Sequence, residues 1–129
     1  MRRYINLTQH DLTPDQIEAG AYEPTPEDKA KIKKLLTFDE PPTYIDLFNR
    51  AHEISKIVRE GGYNAKCALI GGAPYFMCHL ENSLLGNDIA PFYAFSKRVS
   101  VEEQQPDGSV VKKNVFKHEA FISNRVLEV

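Results

Sequence analysis

A chain of 129 residues and 14.7 kDa, 42% apolar and 26% charged, is long enough for one domain with its own core and too short for two. Sixteen Lys and Arg against eighteen Asp and Glu leave a net charge of -2, which argues against the broad basic surface that duplex nucleic acid requires. No apolar run nears the roughly 20 residues of a membrane span, and the opening MRRYINLTQH turns polar too early for a signal peptide, so a cytoplasmic protein without a membrane partner is expected.

Tyr4 to Thr8 reads as a first strand, with Tyr4, Asn6 and Thr8 on one face and Ile5 and Leu7 on the other. It ends in the polar cluster Thr8-Gln9-His10. Thr13-Pro14-Asp15-Gln16 has the order of a helix start: Thr as cap, Pro in the first turn and Gln to close a capping box, so a short helix towards Gly20 is predicted. Thr25-Pro26-Glu27-Asp28 repeats the arrangement. Ile32, Leu35 and Leu36 give this second helix an apolar side, and the Lys29 to Lys34 run is its solvated face. After Asp39-Glu40-Pro41-Pro42, the residues Ile45, Phe48, Ala51, Ile54, Ile57 and Val58 recur at helical spacing as far as Gly61-Gly62, which predicts the longest helix.

Lys66 to Ile70 is a nearly unbroken apolar run, as expected of a strand buried on both faces of a parallel sheet. Gly71-Gly72-Ala73-Pro74 turns it into a helix with Phe76, Met77, Leu80 and Leu84 as its inner stripe. Pro91 to Phe95 then supplies another buried strand, running out at Ser96-Lys97-Arg98. Cys67 on the strand and Cys78 on the helix stand in no metal spacing, and both are read as buried, reduced thiols. Past Arg98, Val99 and Val101 alternate with polar residues and Gln105-Pro106-Asp107-Gly108-Ser109 signals a turn. A hairpin is predicted there, its return strand Val110 to Ile122 setting Phe116, His118, Ala120 and Ile122 on one face. The tail after Ser123 is left either to fray or to serve an interface. The fold class is α/β: one domain, residues 1–129, with a mostly parallel central sheet, flanking helices and a C-terminal β-hairpin.

In an open parallel sheet, ligands sit beyond the carboxyl ends of the strands, where Thr8-Gln9-His10, Gly71-Gly72-Ala73-Pro74 and Ser96-Lys97-Arg98 are expected to meet. The glycines let backbone N–H groups approach an anion, and the helix starting near Pro74 adds its positive end. Neither the dinucleotide fingerprint nor the Walker loop is matched, and a plain strand-to-helix turn is the alternative. Arg98 offers a phosphate two parallel hydrogen bonds and Lys97 a point charge; the alternative is a solvated pair with Arg98 matched to Glu102 or Glu103. Ser96 either donates to a phosphate or ribose hydroxyl or caps its own turn. His10 is the acid–base candidate, with a surface histidine organising its turn as the bland reading. His52 and His79 read as boundary residues and His118 as a hydrogen-bonded core histidine. No metal-ligand cluster, nucleophile elbow or Cys–His pair stands out, and neither metal nor cofactor is expected.

The stretches Tyr93-Ala94-Phe95-Ser96-Lys97-Arg98 through Val99-Ser100-Val101-Glu102-Glu103, Pro106-Asp107-Gly108-Ser109 and Val115 to Phe121 resemble the end of the small CRISPR-associated Rossmann-like proteins of type III loci. Those are single-domain relatives of CARF sensors and include ring nucleases that bind or cleave cyclic oligoadenylate. Gly71 to Leu85 and Asn6 to Gln16 fit the same outline more loosely, and the segment Thr13 to Leu36 is longer than the group's pattern. The resemblance implies a Rossmann-like, CARF-related homodimer that binds cyclic oligoadenylate in antiviral defence. It would cleave the ring without a metal, as a ring nuclease, or hold it as a sponge. By the same resemblance His10 and Arg98 are catalytic, Lys97 joins Arg98 on phosphate, and Ser96, Thr8, Gln9 and the amides of Gly71, Gly72 and Ala73 position the ligand. A non-catalytic nucleotide-sensing or protein-interaction module, of host or phage origin, is the other reading, beside an enzyme acting on another small nucleotide.

Overall fold

The computed structural model describes residues 1–125; of the tail after Ser123, residues 126–129 lie outside that range. The elements in chain order are β1 (Tyr4–Asn6), α1 (Pro14–Glu18), β2 (Ala21–Tyr22), α2 (Pro26–Leu36), α3 (Tyr44–Glu60), β3 (Cys67–Ile70), α4 (Pro74–Leu85), β4 (Ala90–Gln104) and β5 (Val110–Ile122). They form a five-stranded sheet in the order β2-β1-β3-β4-β5, parallel through β4 and antiparallel between β4 and β5.

Local chemistry explains the helix starts. Thr13, Thr25 and Thr43 each stand before a helix with the hydroxyl accepting from the third amide onward, those of Gln16, Asp28 and Asp46. At α1 the Gln16 side chain accepts in return from the Thr13 N–H at 3.0 Å, which completes the expected capping box. Such caps contribute about 1 kcal/mol each, enough to decide where short helices begin.

The strands are buried on both faces, as their continuous apolar runs require. Ile5, Leu7, Ala68 and Ile70 pack into the larger core with Ile32 and Leu36 of α2, Ala51, Ile54 and Val58 of α3, and Phe76, Leu80 and Leu84 of α4. Tyr4, Cys67, Leu69 and Phe92 face the other way, under Leu12 and Phe121. The alternation expected for Tyr4 to Leu7 is therefore present.

Several expectations need correction. The first strand closes at Asn6 rather than Thr8, and the two-residue β2 was not anticipated. On α3 the buried stripe is Leu47, Ala51, Ile54, Ser55 and Val58, while Ile45 and Phe48 are 61% and 54% exposed. Apolar residues occupy two faces of this helix at permitted spacings, and packing selects the one containing Leu47. Cys67 is buried, but Cys78 is exposed. The largest difference concerns β4, which does not end before Lys97 but continues to Gln104, so that Ser96, Lys97 and Arg98 lie within a strand.

Past Tyr93, the partner of the last β3 residue Ile70, β4 is bonded to β5 alone. Strand rise of about 3.3 Å per residue carries this two-stranded ribbon roughly 35 Å beyond the sheet. The register shifts at Phe95/Ser96, where Ala120 and His118 are the successive partners and Glu119 is supernumerary, a β-bulge. The bulge breaks the expected alternation of β5: His118 lies against Phe121, with ring centroids 4.5 Å apart, and Phe116 is 71% exposed. The Nδ1 of His118 is buried with no hydrogen-bond partner, contrary to the hydrogen-bonded core histidine expected.

Candidate functional site at the carboxyl rim of the sheet

The chain leaves β1 for β2 by way of Leu12 and α1, which lie on the side of the smaller core, where α1 touches β2 and β5. It leaves β3 for β4 by way of α4, on the side of the larger core. β1 and β3 are neighbours, so their connections part between them, the position at which open α/β sheets place ligands. Two of the three expected segments meet there. A Cβ added to Gly71 would stand 3.6 Å from the Thr8 methyl, and the Leu7 N–H extends the β1–β3 pairing by donating to the Leu69 carbonyl at 2.8 Å.

The loop after β1 is held by a polar group that sequence reasoning missed. Asn6, buried in the strand, donates from Nδ2 to the His10 carbonyl and to Glu23 Oε1, both at 2.8 Å. Its Oδ1 accepts from the Thr8 amide at 3.0 Å and the Thr8 hydroxyl at 2.7 Å. Lys29 closes the group, donating to Glu23 at 2.7 Å and to the His10 carbonyl at 3.1 Å. An Asn among apolar strand residues was the available signal, since a buried amide needs partners. Glu23 and Lys29 come from separate elements and carried none. Lys29 is consequently not a free surface cation, and the Thr8 hydroxyl is committed to shaping the loop. Gln9 is tied to the Thr37 hydroxyl at 3.0 Å, while the His10 side chain is exposed.

The turn after β3 offers backbone rather than side chains. Gly72 has φ +150°, a conformation L-residues rarely adopt. No side chain caps α4, whose first turn begins Ala73-Pro74, so its positive end is open to solvent.

The third segment stands apart. Ser96 lies three residues beyond the Tyr93–Ile70 pair, about 10 Å past the rim at ordinary strand rise. Side chains alternate along the ribbon, so Lys97 points to one face and Ser96 and Arg98 to the other. Arg98 has neither Glu102 nor Glu103 as an ion-pair partner; its guanidinium lies over the Phe116 ring, 5.3 Å from the centroid. Lys97 and Lys117 are cross-strand neighbours, a local concentration of positive charge. The rim is thus an open shelf with a basic arm rising beside it. A depression of about 920 Å³ lies near Arg3, Tyr22 and Lys66 at the amino ends of the strands, one of about 480 Å³ between α3 and α4, and another of about 480 Å³ between Phe38, the Asp39 to Pro42 segment and Tyr75 in the first turn of α4.

Below the shelf, Glu81 of α4 is buried and receives the Tyr93 hydroxyl at 2.5 Å, Arg125 Nε at 3.0 Å and Asn124 Nδ2 at 3.2 Å. Burial alone would raise the Glu81 pKa, but these hydrogen bonds and the Arg125 charge outweigh it and hold the carboxyl below its usual range. Burial, reinforced by the hydrogen bond to Glu81 and its charge, pushes the Tyr93 hydroxyl well above the usual phenol range. Among the described residues no group of three or more His, Cys, Asp or Glu side chains is placed to hold a metal. No described helix is long and apolar enough to cross a membrane.

A family model described as "Uncharacterized protein MJ1673 family" matches residues 2–122, nearly the whole chain. No curated protein and no solved structure shows a significant match.

Proposed function

The chain belongs to the MJ1673 family, and we propose that its carboxyl rim binds the phosphates of a small nucleotide, a cyclic oligoadenylate ring, and opens or sequesters it in the cytoplasm as part of antiviral defence. The observation that carries the reading is the meeting of Thr8 and Gly71 where the β1 and β3 connections part, beside the uncapped start of α4. Backbone amides and a helix amino end at such a position favour a phosphate. The likeness of Tyr93 to Phe121 to CARF-related proteins points to the adenylate ring, and a ring with rotational symmetry suits a homodimer.

In ring opening, the ribose 2′-oxygen bonds to the adjacent phosphorus as the P–O5′ bond breaks, leaving a 2′,3′-cyclic phosphate. The 2′-hydroxyl proton passes to a base and the 5′-oxygen takes one up. His10 is the side chain at the rim whose chemistry suits that exchange. Lys97 and Arg98, on opposite faces of the ribbon, would not grip one phosphate together; one of them stabilises the charge developing on it while the Gly71 to Ala73 amides hold its neighbour. Thr8 and Gln9 shape the loop. A second reading, binding without turnover, is favoured by the exposed His10 imidazole, which no described side chain orients.

Purified protein incubated with cyclic tri-, tetra- or hexa-adenylate in EDTA is expected to melt at a higher temperature with at least one ring, through ligand linkage. Linear products that vanish in His10→Ala with binding retained support cleavage; tight binding without products supports the sponge. If none of the rings moves the melting temperature, the proposal fails.

A further inference from the structure

We propose that the free edge of β4 pairs antiparallel with the same edge of a second copy of this chain, about a two-fold axis at Ser100, joining two hairpins into one four-stranded sheet. β3 stops opposite Tyr93, so from Ala94 to Gln104 one edge of β4 has no strand beside it. Its N–H and C=O groups on that side form a template for another strand, and a ribbon of two strands is marginal alone. Val101, Val110, Val111 and Phe116 are exposed along this ribbon.

The edge itself selects the occupant. Lys97-Arg98-Val99-Ser100-Val101-Glu102-Glu103 carries positive charge at one end, negative charge at the other and valines between. Laid antiparallel on itself, it sets Lys97 opposite Glu103 of the second copy, Arg98 opposite Glu102, Val99 opposite Val101 and Ser100 opposite its own counterpart. All four charged positions are matched, and each match occurs twice. The nearest other registers that keep the same edges bonded lie two residues of slip away in either direction, and they set a valine against Glu103 or Lys97. The outer edge of β5 lacks this property: from Val110 to Ile122 it carries Lys112, Lys113 and Lys117 against Glu119 alone, so no self-pairing matches all of its charges. Charged edges usually discourage strand addition. Here the same charges discourage every partner except a reversed copy.

The register has a geometric consequence. The second copy's β4 occupies the column of β3, past its carboxyl end, and the second copy's β5 occupies the column of β1. The Gln105–Ser109 turn of each copy then stands over the Thr8 and Gly71 rim of the other. The pairing is argued from the edge alone and stands whether or not the rim binds a nucleotide.

The test uses the full chain, Lys97→Glu/Arg98→Glu and Glu102→Lys/Glu103→Lys, with mass measured by light scattering and folding by circular dichroism. The unaltered chain is expected to be a dimer. Each double variant is expected to stay folded and to dimerise about tenfold more weakly or worse, because four favourable pairs become repulsive. Mixing the two variants is expected to restore a heterodimer, since every pair again joins opposite charges. A monomeric unaltered chain, a dimer indifferent to both changes, or a mixture that fails to reassociate would overturn the proposal. As an independent check, Ser100→Cys in a Cys78→Ser background is expected to form a covalent dimer on oxidation. Directly opposite Cα atoms in an antiparallel pair lie about 4.5–5.5 Å apart, within disulfide reach. Asn114→Cys on the outer strand is expected to remain uncrosslinked, and equal crosslinking of both would count against the axis at Ser100. Nucleotide binding is scored separately, so its absence leaves these outcomes intact.

Discussion

Residues 4–93 and the ribbon beyond them are built from the same sheet but held in different ways. In the first region Ile5, Ala68, Leu69 and Ile70 are all but inaccessible, covered by helices on one side and by Leu12 and Phe121 on the other. In the second, β4 and β5 have each other and solvent, and Phe116 is 71% exposed. The first region is stabilised by its own burial; the second has cross-strand pairs and little else within one chain. A strand can therefore be a core element at one end and an unfinished surface at the other.

The contrast can be broken most forcefully at Phe76, which is fully buried and packs edge-on against Phe38. Phe76→Ala is expected to cost about 3–5 kcal/mol in urea unfolding, through lost burial and the cavity left behind. A loss under about 1 kcal/mol would mean that this core is far looser than its packing implies.

An intermediate effect is expected where the chain returns from the ribbon and Arg125 reaches Glu81. Arg125→Ala is expected to cost about 1–2 kcal/mol near pH 7, allowing for the partial exposure of the Arg125 side chain. Glu81 has a depressed pKa in the folded state, so its contribution is complete above the unfolded carboxyl value of about 4.3 and is lost as pH falls through the folded one. The difference between the two chains should accordingly shrink in acid. For Tyr93 the sign is opposite: the folded state keeps a proton that the unfolded state sheds above about pH 10, so stability falls as pH rises past that point. Unfolding midpoints from pH 3 to 11 check both limbs, and a gap that widens in acid would refute the assignment.

The smallest effect is expected on the ribbon, where Phe116→Ala should change monomer stability by less than about 0.5 kcal/mol. The expected readout is lost shielding of Arg98, seen as faster amide exchange at the hairpin while the sheet is unchanged. A loss matching that at Phe76 would erase the distinction between the regions.

Where one interaction dominated, the reading from sequence was close. Threonine caps located the starts of α1 and α2, the Asp39 to Pro42 break placed α3 after it, Gly61-Gly62 marked the end of α3, and unbroken apolar runs located β3 and the start of β4, whereas the Thr43 cap of α3 went unread. Competing or distant interactions were not legible. Two apolar stripes on α3 satisfied the same periodicity, and only the packed partner decides between Leu47 and Phe48. β2 is too short to have a pattern at all. The charges at Lys97 and Arg98 read as the end of a strand, whereas an uncovered strand carries charges without penalty. At the rim, Thr8 and Gly71 came together as strand order requires, but the basic segment was displaced by the length of β4, and the Asn6–Glu23–Lys29 group depends on contacts that no local spacing announces.

The bulge at Glu119 acts as a phase setter for everything distal to it. Side chains on a strand alternate, so one inserted position swaps up and down for the rest of β5, and removing it would turn that length inside out. Lys113, Val115 and Lys117 would trade places with Lys112, Asn114 and Phe116. A single residue at the root of the arm thereby governs which side chains share a face, seating Phe116 beside Arg98 and Lys117 beside Lys97.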